Sequence, residues 1–125
     1  MKKSNITIAG KTVTLGYCYA TEIAFKDLAG VDINEFIQEV GKAIDEQKMP
    51  DIKKTIYLIL SGVMAYYQSQ NEDAPITDAD LMNEATPLEI GTALGSIVTL
   101  RSQFYNIPSG EPEEKKGKGK KGKNS

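Results

Sequence analysis

This chain has no histidine, no tryptophan and a single cysteine. Histidine is the side chain that titrates near neutral pH without perturbation and is the commonest metal ligand, so its absence argues against ordinary acid–base catalysis and against most metal sites. One cysteine, Cys18, neither completes a structural zinc site nor forms an internal disulfide. With Tyr17 and Tyr19 as neighbours and no base to activate it, Cys18 reads as a packed thiol. Long hydrophobic runs are lacking too. The most apolar stretch, IYLILSGVMAYY, falls short of the ~20 residues that cross a bilayer. The opening MKKSNITIAG interrupts its apolar residues with threonine, unlike a secretory signal. These absences predict a cytoplasmic protein with no membrane partner, no cofactor, no metal and no catalytic residues.

The 125 residues suit one domain. They are 40% hydrophobic and 26% charged, an ordinary globular balance. The net charge of −2 hides a division: residues 1–110 carry 9 Lys and Arg against 14 Asp and Glu, whereas residues 111–125 carry 6 Lys against 3 Glu. The basic residues at the end lie in KKGKGKKGK, Lys115 to Lys123. That run is no phosphate-binding loop, which needs Gly-Lys-Ser/Thr opening a helix after a strand. As a nucleic-acid arm it would make salt-sensitive phosphate contacts, but it has no interleaved aromatic residue for stacking, and the acidic body opposes a polyanion. Nucleic acid is therefore disfavoured as a partner, and a small nucleic-acid-associated protein is the alternative reading. Residues 109–125 are expected to be a disordered Lys/Gly-rich tail.

ITIAGKTVTLGY alternates as a hairpin should, with Ile6 and Ile8, a turn at Ala9-Gly10-Lys11, then Val13 and Leu15. The period then becomes helical. A helix capped by Thr21 and stopped by Gly30 places Ile23, Ala24 and Leu28 on one face. The next, capped by Asp32, is amphipathic through Ile33, Phe36, Ile37, Val40 and Ile44, and Met49-Pro50 closes it. Asp51 caps a longer helix whose stripe of Ile52, Ile56, Ile59, Leu60, Val63 and Tyr67 is widened by Tyr57, Leu58 and Met64. A helix apolar on most sides packs centrally or meets a partner. Thr77 opens a short acidic helix, and Thr86-Pro87 with Glu89 is the start signature of a last helix facing inward through Ile90, Leu94, Ile97, Val98, Arg101 and Phe104. NEDAPITDAD lacks the glycine and terminal glutamate of a calcium loop. The expected fold is a small, mostly helical α+β domain over residues 1–108, an N-terminal β-hairpin packed on a helical bundle.

Tyr66-Tyr67 and Phe104-Tyr105 end the two longest helices. Consecutive helical residues point ~100° apart, so both members of a pair cannot face one core. Either one of each pair anchors a partner, or the hairpin or short helix covers them.

The order of these elements, with YATEIAFKDLAGVDI after the hairpin and TPLEIGTALGSIVTLRSQFYNIP at the end, resembles the tail assembly chaperones of long-tailed bacteriophages and prophages. The resemblance spans residues 5–108. It implies a non-enzymatic protein of the host cytoplasm, absent from the mature virion, that binds the tape measure protein and keeps it soluble while tail tube subunits assemble. It also implies that the helix over 52–67 is a candidate client surface, so that Tyr57, Leu58 and Met64 join Tyr66, Tyr67, Phe104 and Tyr105 as expected partner-binding residues. Such families commonly make a longer −1 frameshift product, through which the tail tube protein becomes a partner, and homo-oligomers are compatible with the role. Gly-Lys and Lys-Lys are residue pairs that a slippery purine-rich message can produce, and the resemblance implies that this chain is the shorter product.

Overall fold

The computed structural model describes residues 1–107. The expected disordered tail, with its lysine run, lies outside them. Two antiparallel strands, β1 (Lys2–Ile8) and β2 (Lys11–Tyr17), are followed by α1 (Tyr19–Ala29), α2 (Ile33–Asp45), α3 (Ile52–Ser69), α4 (Asp78–Glu84) and α5 (Pro87–Phe104). The α+β class, the hairpin and the predominance of helix are as the sequence predicts.

The hairpin turn contains two residues, Ala9 and Gly10, with φ of 52° and 74°. Positive φ at both positions is the geometry that matches the twist of the flanking strands, and Lys11 already belongs to β2, paired with Ile8. On the outer face Asn5 pairs with Thr14 and Thr7 with Thr12, and both pairs join side chain to side chain. The inner face, Ile6, Ile8, Val13, Leu15 and Tyr17, is buried against α3 and α5.

α3 is the central element. It packs against β2, α1, α4 and α5, and every residue from Leu58 through Val63 is buried, as is Ala65. Of the two destinations open to an over-wide apolar helix, the central one is realised over Leu58–Val63, where α3 is covered by its own chain. Gly62 permits the closest approach: a Cβ there would lie 2.7 Å from Ile97 Cδ1 and 3.2 Å from Leu15 Cδ2. The start of the predicted stripe differs from its middle. Ile52 is 54% exposed, and Ile44 of α2 is exposed as well.

The caps at Asp32, Asp51, Thr77 and Thr86 form as the sequence predicts, each side chain accepting a backbone N–H of the first turn. Gly30 ends α1 in the left-handed region, its N–H bonded to Lys26 O. The start of α1 is a correction. Cys18, not Thr21, occupies the cap position, and Thr21 lies in the first turn, fully buried. Its Oγ1 donates to Gly16 O at 2.9 Å and accepts from Cys18 N–H at 3.2 Å, which ties the helix to the strand that feeds it. That tie sets the rotation of α1. Thr21 and Phe25 face inward, Phe25 stacking on Phe36 with ring centroids 5.5 Å apart, and the face expected to be buried turns outward.

Candidate interaction surfaces

Outward rotation of α1 leaves Tyr19 65% and Ile23 63% exposed, with Leu28 also at the surface. Ala20, Ile23, Ala24 and Leu28 form one wall of a shallow groove of about 300 Å³, and Met64 and Gln68 of α3 form the other. At the N-terminal end of α1, the Tyr19 ring meets Phe104 edge-on at 5.1 Å. Phe104 in turn touches the buried Tyr17 at 5.5 Å and its neighbour Tyr105 at 5.0 Å. The result is an apolar ridge from the end of α5 along α1 to the middle of α3.

Glu22 organises the aromatic end. Its Oε2 accepts from the Tyr17 hydroxyl at 2.7 Å and from the Tyr105 hydroxyl. Burial, reinforced by the carboxylate, holds the Tyr17 phenol far above the ordinary tyrosine range. The hydrogen bond to Glu22 pushes Tyr105 up to about 12. Arg101 stacks its guanidinium 5.3 Å from the Tyr105 ring and donates to Asn34 Oδ1, bracing the end of α5 against α2.

The seven residues expected to meet a partner separate into different environments. Leu58 is core, because α3 turns that side toward the interior, and it is closed to any partner in this conformation. Tyr67 is half-buried under the hairpin, its hydroxyl accepting from Thr14 N–H at 3.3 Å. Tyr66 is half-buried, with Lys3 Nζ 5.8 Å from its ring centroid, and Tyr57 is similarly placed under Lys53. Met64, Phe104 and Tyr105 are brought to one ridge. Tyr19 and Ile23 complete that ridge; helical period marks the face of Ile23 but not that it turns outward, because α1 carries apolar residues on both faces, and Tyr19 carries no such signal.

A second apolar surface lies at the other end of α3. Met49, Ile52, Met82 and Pro87 surround a notch of about 190 Å³ floored by Leu81 and Ile90. Among the described residues no helix is long and apolar enough to cross a membrane, and no group of three His, Cys, Asp or Glu is placed to hold a metal ion. Comparison with protein-family models, with curated proteins and with solved structures gives no match to this chain.

Proposed function

We propose that the protein is a non-enzymatic tail assembly chaperone of a long-tailed phage or prophage. In this reading it binds the tape measure protein in the host cytoplasm, keeps it soluble while tail tube subunits assemble, and leaves before the virion is complete. The observation that supports it is the ridge of Tyr19, Ile23, Phe104 and Met64, with Tyr19 and Ile23 mostly exposed. An amphipathic client helix buries its apolar stripe against such a surface, and aromatic residues are favoured anchors there. Each large side chain covered contributes at most about 1.5–3 kcal/mol, less where it is already half-buried, before the cost of ordering the partners, which suits reversible binding. Displacement by tube subunits requires that reversibility.

The test is co-expression with a long, helix-rich tape measure protein encoded beside this chain. The expected result is a soluble complex that Ile23→Asp abolishes. A client that remains equally insoluble with and without the wild-type chain would overturn the proposal.

A further inference from the structure

We propose that the outer edge of β1 is a self-association site, at which two copies of this chain pair β1 to β1 antiparallel and extend the hairpin into a four-stranded sheet. The two-residue turn makes Ile8 and Lys11 a hydrogen-bonded pair, so every second pair along the hairpin turns its N–H and C=O groups outward. On β2 those outward groups are engaged: Thr14 N–H donates to the Tyr67 hydroxyl at 3.3 Å, and Gly16 O accepts from Thr21 Oγ1 at 2.9 Å. Their partners across the hairpin are Asn5 and Lys3, and Thr7 is next in the same series. All three are exposed, and their outward backbone groups bond to nothing among the described residues.

Such a row is a template for another strand, since its donors and acceptors recur at strand spacing. The usual guards of an edge are missing or turned away. β1 has no proline and its register is unbroken by a bulge. Its outer side chains lean back across the hairpin: Asn5 accepts from Thr14 Oγ1 at 2.8 Å, Thr7 meets Thr12 Oγ1 at 3.3 Å, and Lys3 Nζ lies 5.8 Å from the Tyr66 ring centroid. Beside the edge runs a groove of about 460 Å³ whose far wall is α5, through Thr92, Gly95, Ser96 and Thr99. These small side chains leave room for an added strand and for a second helix beneath it.

The sequence of β1 selects a second copy as that strand. A two-fold axis at Asn5 matches Asn5 with Asn5 of the second copy, and Lys3 with Thr7 on either side. That gives three pairs, each exchanging two backbone hydrogen bonds, and no charge stands opposite a like charge. In the same register Lys2 of one copy lies opposite Ile8 of the other, beside the turn where Glu89 Oε1 accepts the Ala9 N–H at 3.2 Å. Lys2 shares the inner parity of Ile6 and Ile8, so its ammonium is directed toward that carboxylate, whose Oε2 has no donor among the described residues. The two copies of Lys2 are about 20 Å apart, beyond the screening length at physiological salt. α1 packs beside β2, so pairing through β1 leaves Tyr19 and Ile23 open on both copies.

The test is sedimentation equilibrium of the full chain between about 10 μM and about 1 mM, where a monomer–dimer equilibrium is expected. Asn5→Pro removes the central outward N–H at an edge position, where proline is tolerated. It should weaken the dimer at least tenfold while helical circular dichroism is kept. Cysteine variants then read the register in a Cys18→Ser background, which keeps a capping side chain at the start of α1. Asn5→Cys places two thiols directly opposite across the axis, within disulfide reach, whereas two Thr7→Cys thiols lie about 13 Å apart. Mild oxidation should crosslink Asn5→Cys at least tenfold faster than Thr7→Cys. A chain that stays monomeric at the highest concentration, a dimer that a folded Asn5→Pro leaves intact, or equal crosslinking at the two positions would each overturn the proposal. Should Asn5→Pro unfold, the crosslinking pair still decides. The tape measure proposal rests on the α1 ridge and is tested by client solubility, so either can fail alone.

Discussion

Glu89 holds Ala9 across eighty residues of sequence: its Oε1 accepts the Ala9 N–H at 3.2 Å while also accepting the Thr86 N–H at 2.9 Å. One carboxylate thus caps α5 and pins the hairpin turn to it. The Thr86 bond, then the Ala9 bond, holds the Glu89 carboxyl below its ordinary value. A folded-state value below the unfolded one stabilises the fold above the ordinary glutamate range, about 4.3, and the contribution is lost as pH falls through the depressed folded value. Glu89→Gln keeps the capping geometry but removes the charge. Urea unfolding should find the variant less stable than wild type at neutral pH, with the difference shrinking in acid.

The turn that Glu89 holds stores strain at one residue. Ala9 sits at φ 52°, a conformation that costs a residue with a Cβ about 1–2 kcal/mol. Ala9→Gly removes this cost and adds unfolded-chain entropy, about 0.5–1 kcal/mol, leaving a small net stabilisation. Gly10→Ala should do the reverse, the strain outweighing the entropy gain to leave a small net destabilisation, although nothing lies within 4 Å of a Cβ there. Chemical denaturation of the two variants against wild type measures both signs.

Close packing around Gly62 makes a coupled prediction. Gly62→Ala places its methyl 2.7 Å from Ile97 Cδ1, and overpacking of this kind costs about 1–3 kcal/mol. Ile97→Val deletes the offending carbon. The double variant should therefore be more stable than the sum of the single losses predicts, and a double-mutant cycle reads this coupling. Gly95→Ala, on the exposed face of α5 with open space around it, should instead stabilise by up to about 1 kcal/mol.

Much of this arrangement is legible in the sequence. Helix caps are local chemistry, so Asp32, Asp51, Thr77 and Thr86 mark their helices correctly. That α3 packs centrally or meets a partner follows from its having no polar face wide enough to meet water, and the fold decides for the centre over Leu58–Val63. The rotation of α1 is not legible, because Ile23 and Leu28 on one side and Phe25 on the other offer equal apolar patterns. A hydroxyl reaching back to Gly16 decides between them, and a bond between a helix and its preceding strand has no signature in hydrophobic period. The ridge is hidden with it. Phe104 and Tyr105 stand out as a pair, but only the tertiary fold joins them to Tyr19 and Ile23.

Tyr105 supplies a spectroscopic check on the aromatic end of the ridge. Its phenol titrates at about 12, chiefly because Glu22 accepts its proton in a hydrogen bond. A raised folded value means that this contribution is complete below the ordinary tyrosine value, about 10, and is lost as pH rises toward 12. In Glu22→Ala, phenolate absorbance should show one tyrosine moving down toward the ordinary range. A titration unchanged by the substitution would separate Tyr105 from Glu22.

The ridge and the core can be told apart by two substitutions. Ile23 is exposed, so Ile23→Asp should change stability by no more than about 0.5 kcal/mol, while removing the apolar contact a client helix needs. Leu58 is fully buried in α3, so Leu58→Ala should cost about 2–5 kcal/mol through lost burial and the cavity left behind. Unfolding curves and client solubility, measured on the same two variants, then give opposite patterns. Ile23→Asp keeps the fold and loses the client, whereas Leu58→Ala weakens the fold and, where it remains folded, retains the client. A Leu58→Ala protein that is folded yet cannot solubilise the client would contradict the separation of the ridge from the core.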